Sequence, residues 1–347
     1  MLPFRYNLFL FNEKSRGYNE RVMKTFTKSS FKKGEQMKKK GFWYHFNKNK
    51  MLLLMALPGA LWLIFFFYIP VLGNVVAFKN FTYSDGGFFK SLQESPWVGF
   101  DNFKFLFSSS NAYIITRNTV LYNVVFIISG LVVAVMFAII LSEIRSKKMV
   151  KVYQTSMLLP YFLSWVIISY FVYSFLSPDK GLVNSILAGQ AGDGINWYNE
   201  PKYWPFILVF MGIWKGVGYS SIIYFASIMG IDPTYYEAAM IDGATKWQQI
   251  KNVTLPQLAP LMTILTILAV GNIFRADFGL FYQVPRNSGA LYEVTSVLDT
   301  YIYNGLTSSG DIGMASAAGL YQSVVGCILV IGTNLLVRKY DEESALF

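Results

Sequence analysis

The sequence predicts an all-α polytopic membrane protein with six transmembrane helices, and three observations carry that prediction. Of 347 residues, 54% are hydrophobic and 14% are charged, whereas soluble domains carry about a quarter charged residues. The apolar residues gather into six windows, near 52–72, 119–141, 152–176, 205–230, 258–274 and 312–337, each long enough to cross about 30 Å of hydrocarbon. Within those windows only Lys215 is charged. Runs of this kind must be helices or closed barrels in lipid, and their continuous apolarity, without alternation, selects helices.

Residues 1–50 are polar and basic, with no sustained helical period, and read as a cytoplasmic N-terminal segment. Lys32-Lys33-Gly34-Glu35-Gln36-Met37, written in low-GC codons, contains a ribosome-binding sequence just ahead of a start codon. Residues 1–36 are therefore expected to be either untranslated or a disordered extension, with Met37 as the alternative start. The Lys38-Lys39-Lys40 cluster before the first window imitates a signal peptide. Because the run is too long and no A-x-A-like site follows it, an uncleaved anchor is expected. Residues 73–118 then form an outer segment. Its Pro96-Trp97-Val98-Gly99-Phe100-Asp101-Asn102-Phe103 stretch supplies the aromatic rings that suit a bilayer interface.

After the second window come Arg145, Lys147, Lys148 and Lys151, and after the sixth come Arg338 and Lys339. The loops on the other side, about 177–204 and 275–311, are more weakly basic. By the positive-inside rule both termini are cytoplasmic and the span count is even. The formal charge of +10 thus reports topology, and nucleic acid is not an expected partner. Cys327 is the single cysteine, which excludes a disulfide framework and a cysteine-based metal site. No domain-sized soluble region is present. Residues 51–347 form one membrane domain.

Between the fourth and fifth windows lies a compact loop, residues 232–257. Asp232-Pro233 can open a helix, Asp as N-cap and Pro at the first position, where its missing N–H costs nothing. Glu237, Ala238 and Ala239 continue it with good helix formers. Gly243 permits a reversal at positive φ. Thr245 onward is expected to form a second short helix until Pro256, which begins the next span. A small Ala-rich knob at the membrane surface is a handle for a soluble partner.

This loop resembles the EAA motif of the membrane subunits of bacterial ABC importers. Glu237, Ala238, Ala239, Gly243, Leu255 and Pro256 match at the motif's spacing, and Val253 stands where the motif has Ile. Leu57-Pro58-Gly59, Trp97-Val98-Gly99, Ser323-Val324-Val325-Gly326 and Ser344-Ala345-Leu346-Phe347 extend the likeness to the MalF/LplB-like sugar-permease branch. The resemblance implies the type I importer (MetI-like) fold in a bacterial cytoplasmic membrane, with a coupling helix between spans 4 and 5. It implies that Glu237, Ala238, Ala239, Asp242, Gly243, Leu255 and Pro256 dock on a separate ATPase, which holds ATP and Mg. Glu237 would make polar contacts or cap the coupling helix. The implied partners are a second homologous permease, two ATPase subunits and an extracytoplasmic sugar-binding lipoprotein. The implied cargo is an oligosaccharide.

The chain has no Walker-type phosphate loop, so ATP hydrolysis on this chain is not expected. His45 is the only histidine and precedes the first window, which removes His-based metal sites and Ser-His-Asp catalysis. No carboxylate lies inside a window. That absence weakens the alternative, a stand-alone secondary carrier or channel for sugars, where intramembrane acids commonly relay protons.

Sugars are held by aromatic faces and side-chain hydrogen bonds. Lys215, between Trp214 and Gly216, is a substrate candidate because charge in a span is costly; snorkelling to an interface is the competing reading. Asn272, Arg275, Asp277 and Tyr282 follow the fifth window, the region where the resemblance places sugar contacts; Arg275 and Asp277 equally suit an ion pair at a helix end. Tyr170, Tyr173 and Tyr224 are further pathway candidates, with packing as the alternative. Lys215 and Arg275 leave both an acidic and a neutral saccharide open.

Overall fold

The computed structural model describes residues 48–104, 110–191, 194–340 and 345. Residues 1–47, with the expectations placed on 1–36, lie outside them, as do Ser344, Leu346 and Phe347. The chain divides into two units, Met1–Leu72 and Gly73–Phe347.

In the first unit, α1 (Lys50–Leu63) continues through a widened π-type turn, Ile64–Tyr68, into Ile69–Leu72. The widening has a local cause. Pro70 has no N–H to offer the carbonyl four residues back, so Ile69 bonds instead to Ile64 O, five back. Its apolar side chains are exposed all round, as suits a span that meets lipid.

The second unit opens with a helical turn, Gly73–Phe78, and α2 (Gly87–Glu94). An antiparallel bridge joins Lys79 to Trp97. Asn102 Nδ2 closes this cap by donating to Ala77 O and Lys79 O, each at 2.9 Å. The spans follow: α3 (Ser110–Glu143), α4 (Lys147–Phe162) and α5 (Trp165–Leu176), then α6 (Leu182–Ala191) in the next connection, and α7 (Trp204–Met229). The loop helix α8 (Pro233–Ile241) precedes α9 (Leu255–Gly271), α10 (Leu298–Asn304) and α11 (Ile312–Tyr340).

Among the described residues, five continuous helical runs are long and apolar enough to cross a membrane, and there are six when one bent pair is counted as a single span. The third window, expected as one transmembrane helix, is that pair: α4 and α5 meet at 96°. α4 ends two residues after Pro160, where Leu163 turns extended and its N–H bonds Pro160 O, and Ser164 restarts the chain as N-cap of α5, its hydroxyl accepting from Ile167 N–H. A second correction concerns the loop. No separate short helix stops at Pro256; the run Lys246–Gly271 is continuous. Pro256 is absorbed as Pro70 was, by a widened turn (Ile250–Thr254) in which Leu255 N–H bonds to Ile250 O.

Among the described residues, two cores hold the spans of the second unit. One gathers Tyr122, Ile168, Trp204, Leu208, Phe281 and Val284. The other, toward the α7–α8 end, packs Ala134 and Ala138 of α3 against Tyr224, Ile228 and Leu258. The small residues matter because helices in lipid associate by close packing rather than by expelling water. Gly218 is the tightest example: a Cβ there would collide with the Met157 carbonyl and lie 2.9 Å from Leu158 N, so α7 crosses α4 backbone to backbone.

Candidate functional site

A break inside a membrane span exposes carbonyls that lipid cannot satisfy. Lys215 answers that need. It sits near the middle of α7, and its Nζ donates to Tyr161 O and Leu163 O, both at 2.8 Å. These carbonyls end α4, where the helix dipole favours a cation. The ammonium also lies 5.5 Å from the Tyr161 ring centre and 5.3 Å from that of Trp165. Lys215 is therefore neither a bare charge nor a snorkelling one.

Around it opens a cavity of about 320 Å³, lined by Tyr161, Trp165, Lys215, Ser220 and Asp277 among others. A second cavity, of about 450 Å³, shares Phe126, Gly130 and Ser220 with the first, so the two adjoin along α3 and α7. Its polar lining is Asn123, Tyr219, Ser220, Tyr224, Thr266, Asn272 and Arg275. Tyr161 and Tyr219 stack at 4.9 Å with planes 12° apart, and both are partly exposed. Such a pair offers a flat apolar face beside hydrogen-bonding groups, the chemistry a pyranose ring requires.

Beyond Gly271 the chain leaves the helix and is pinned in an irregular course. Asn123 Nδ2 donates to Ile273 O at 3.0 Å and Arg275 O at 3.1 Å. Gln322 Nε2 reaches Phe274 O at 2.8 Å and Asp299 Oδ2 at 3.2 Å. Asp299 Oδ2 also accepts from Ala276 N–H at 2.7 Å. Burial pushes the Asp299 carboxyl above its usual range; these bonds and nearby Arg275 oppose that rise. Asp277 accepts from Trp165 Nε1 at 2.7 Å and from the Gly279 N–H at 2.9 Å. The anticipated Arg275–Asp277 ion pair does not form; Arg275 Nη2 instead approaches Ser323 Oγ at 3.4 Å.

The structure thus brings together Lys215, Tyr224, Asn272, Arg275 and Asp277 on the adjoining cavities. Three candidates stand apart. Tyr282 stacks with Phe278 and meets Tyr303 edge-on. Tyr170 and Tyr173 lie under Arg286, whose guanidinium is 4.2 Å from the Tyr173 ring centre. Sequence reasoning missed Asn123, Tyr161, Trp165, Tyr219 and Ser220. Asn123 was the findable one, an amide in an otherwise apolar run.

At the far end of α7 the loop forms a helical hairpin. Asp232 caps α8, its Oδ1 accepting from Thr234 N–H at 2.9 Å, which holds its carboxyl below the usual range. Glu237 is exposed and does not cap. Gly243 turns the chain at φ +77°, and Thr245 with Gln248 completes a reciprocal capping box. The hairpin is tied down by Tyr236 Oη with Thr254 Oγ1 at 3.0 Å and by Lys246 with Glu143 at 3.1 Å. Leu255 packs on the second core. Ala238, Asp242, Gly243 and Pro256 are exposed and Ala239 is half-buried. Met240, Ile241 and Trp247 are exposed to 54%, 86% and 69%, so the knob presents apolar surface outward.

The family described as "Binding-protein-dependent transport system inner membrane component" matches residues 121–342. Protein LplB of Bacillus subtilis (strain 168) is 30% identical over 297 residues, covering 86% of this chain and 91% of its own. The polygalacturonan/rhamnogalacturonan transport system permease protein YteP of the same organism is 31% identical over 297 residues, 86% of this chain and 90% of its own. Among solved structures, a bacterial ABC transporter involved in the import of the acidic polysaccharide alginate superposes with a TM-score of 0.77. That chain is 32% identical, with 86% of this chain and 99% of it covered.

Proposed function

We propose, since this chain belongs to the family of binding-protein-dependent transport system inner membrane components, that it carries an acidic oligosaccharide across the cytoplasmic membrane. It is a multi-pass transport permease of the ABC importer class. The observation that carries the finer reading is the pair of adjoining cavities at the broken span. They combine a stacked Tyr161–Tyr219 face with Lys215 and Arg275, against Asp277 as the one lining carboxylate. A cationic, aromatic lining suits uronate-bearing sugars, and relatives named for pectic and alginate polysaccharides support that class. Asp277 already accepts three hydrogen bonds, which leaves its charge partly satisfied.

In this reading the helical hairpin 232–257 docks in a cleft of a cytoplasmic ATPase that binds ATP and Mg. Its exposed Met240, Ile241 and Trp247 supply the apolar anchor, and Glu237, Ala238, Ala239, Asp242, Gly243, Leu255 and Pro256 form its docking set. Closure of the ATPase moves α7 and α9 together, because Tyr236–Thr254 and Leu255 fix the hairpin to both. Both termini are cytoplasmic. A second permease of the same family, two ATPase subunits and an extracytoplasmic binding lipoprotein complete the transporter.

The test is purification from native membranes in mild detergent, mass spectrometry of retained proteins, and ATPase assay of the complex with acidic and neutral oligosaccharides. Recovery of an ATPase and a binding lipoprotein, with hydrolysis stimulated by uronate oligomers and lost in Gly243→Asp, is expected. A chain recovered alone, or hydrolysis indifferent to Gly243→Asp and Glu237→Lys, overturns the coupling reading. Stimulation by neutral sugars only overturns the acidic one.

A further inference from the structure

A third cavity, of about 570 Å³, lies between the opening turns of α3 and α7, at the end of the spans opposite the hairpin. Its walls are apolar and mostly exposed: Leu121, Val125, Phe206, Val209 and Phe210, with Arg117 at the rim. Arg117 makes no ion pair among the described residues. Its Nε and Nη2 instead donate to Asn118 Oδ1, at 3.3 Å and 3.1 Å. Asn118 is itself buried and anchored, its Nδ2 donating to Glu293 O at 2.9 Å and Ser296 O at 3.1 Å. A fixed amide therefore holds a cation, without neutralising it, over a greasy trough.

The orientation of α3 says which solvent fills that trough. Leu121, Tyr122 and Val125 occupy one side of the helix, whereas Asn123, Ile127 and Gly130, which line the polar cavity, lie about half a turn away. If the polar cavity faces the transport path, as proposed above, this groove faces the bilayer. Arg117 stands a turn and a half inside the end of its span, the depth at which a guanidinium meets lipid phosphate.

We propose that this groove is a binding site for an anionic glycerophospholipid, its phosphodiester on Arg117 and an acyl chain along Leu121, Val125, Phe206 and Phe210. The side of α3 involved rests on the proposed transport path; lipid occupancy itself is read without any saccharide, so the two fail separately. Charge complementarity selects the anionic headgroup, since the rim offers a cation and no carboxylate partner for it. The aromatic pair on α7 selects an acyl chain rather than a second polar group.

The test places the full-length protein, with its native partners, in nanodiscs containing phosphatidylglycerol that bears a photoactivatable acyl chain. Crosslinked peptides are then mapped and quantified. Labelling of the segments 117–125 and 205–210 is expected. It should fall about fivefold in Arg117→Gln, the share one interfacial cation supplies, and be kept in Arg117→Lys. Leu121→Trp fills the trough while leaving the cation, and should block labelling of 205–210 without lowering expression. Three results overturn the proposal: equal labelling of these segments in wild type and Arg117→Gln; equal labelling by phosphatidylcholine and phosphatidylglycerol probes; or no lipid adduct on either segment while other membrane segments of the same protein are labelled. If Arg117→Gln does not yield folded protein, Leu121→Trp decides, and unchanged labelling of 205–210 in that variant overturns the site.

Discussion

Two glycines on α7 stand two residues apart and face different surroundings, which makes them a controlled pair. A Cβ added at Gly216 meets nothing within 4 Å; one added at Gly218 lies 2.9 Å from Leu158 N and closer still to Met157 O. Both variants to alanine gain the same helix propensity, about 1 kcal/mol, so that contribution cancels between them. What remains is overpacking against backbone, which cannot swing aside as a side chain can, and costs about 1–3 kcal/mol. Restoring ordinary contact at Leu158 alone moves α4 from α7 by about half an ångström, and clearing Met157 O needs more. That movement reaches function, because Lys215 bridges the same two helices through bonds of 2.8 Å to Tyr161 O and Leu163 O. Thermal unfolding of the purified protein in mild detergent should place Gly218→Ala several degrees below Gly216→Ala, with uptake reduced in Gly218→Ala. Equal melting temperatures for the two variants would refute the backbone-to-backbone crossing and the clamp argued from it.

Other expectations follow from the same geometry. Lys215→Met leaves two intramembrane carbonyls without their donor, at about 1–3 kcal/mol for each unsatisfied group. A lower melting temperature together with lost uptake is expected; a variant as stable as wild type would contradict the clamp. Asn123→Leu should loosen the segment 272–277 and raise its hydrogen exchange, because Ile273 O and Arg275 O lose a shared donor. Asp299 gives a pH signature. Its carboxyl is raised in the folded state, chiefly by burial, so this residue's contribution to stability grows as pH falls through the raised value toward 3.8, and is lost as pH rises back through that value. Asp299→Asn removes the titration, so the melting-temperature difference, wild type minus variant, should increase as pH is lowered from neutrality toward 3.8. A constant difference would argue against a buried carboxyl. Gly243→Val forces a branched side chain to φ +77°, at about 1–2 kcal/mol; ATP hydrolysis should become insensitive to loaded binding protein while membrane insertion is kept.

The spans were legible because lipid imposes a simple rule: a run of some twenty apolar residues must satisfy its own backbone, so composition alone located all six windows, five of which are continuous helices. The hairpin was equally legible. Asp232-Pro233, Gly243 and Thr245 act on their immediate neighbours, and the cap, the positive φ and the capping box follow from local chemistry. The break in the third span was not, because window hydropathy averages over Pro160 and Ser164 and carries no angle. Nor did it reveal the continuous helix through Pro256, where a widened turn replaced the expected stop.

What only tertiary structure decided is the meaning of the polar residues inside the spans. Lys215 read alone is a costly charge; beside Tyr161 O and Leu163 O, brought by a helix break about fifty residues earlier, it is a clamp. Asp277 and Arg275, two apart in sequence, look like an ion pair, yet Trp165 and Ser323 from other helices claim them. Sequence determines which segments enter the membrane, because burial in lipid acts on each residue through its own transfer free energy. It leaves the site undetermined, because hydrogen bonds depend on angles and distances between helices, which are set when Gly218 and the alanines of α3 let them close.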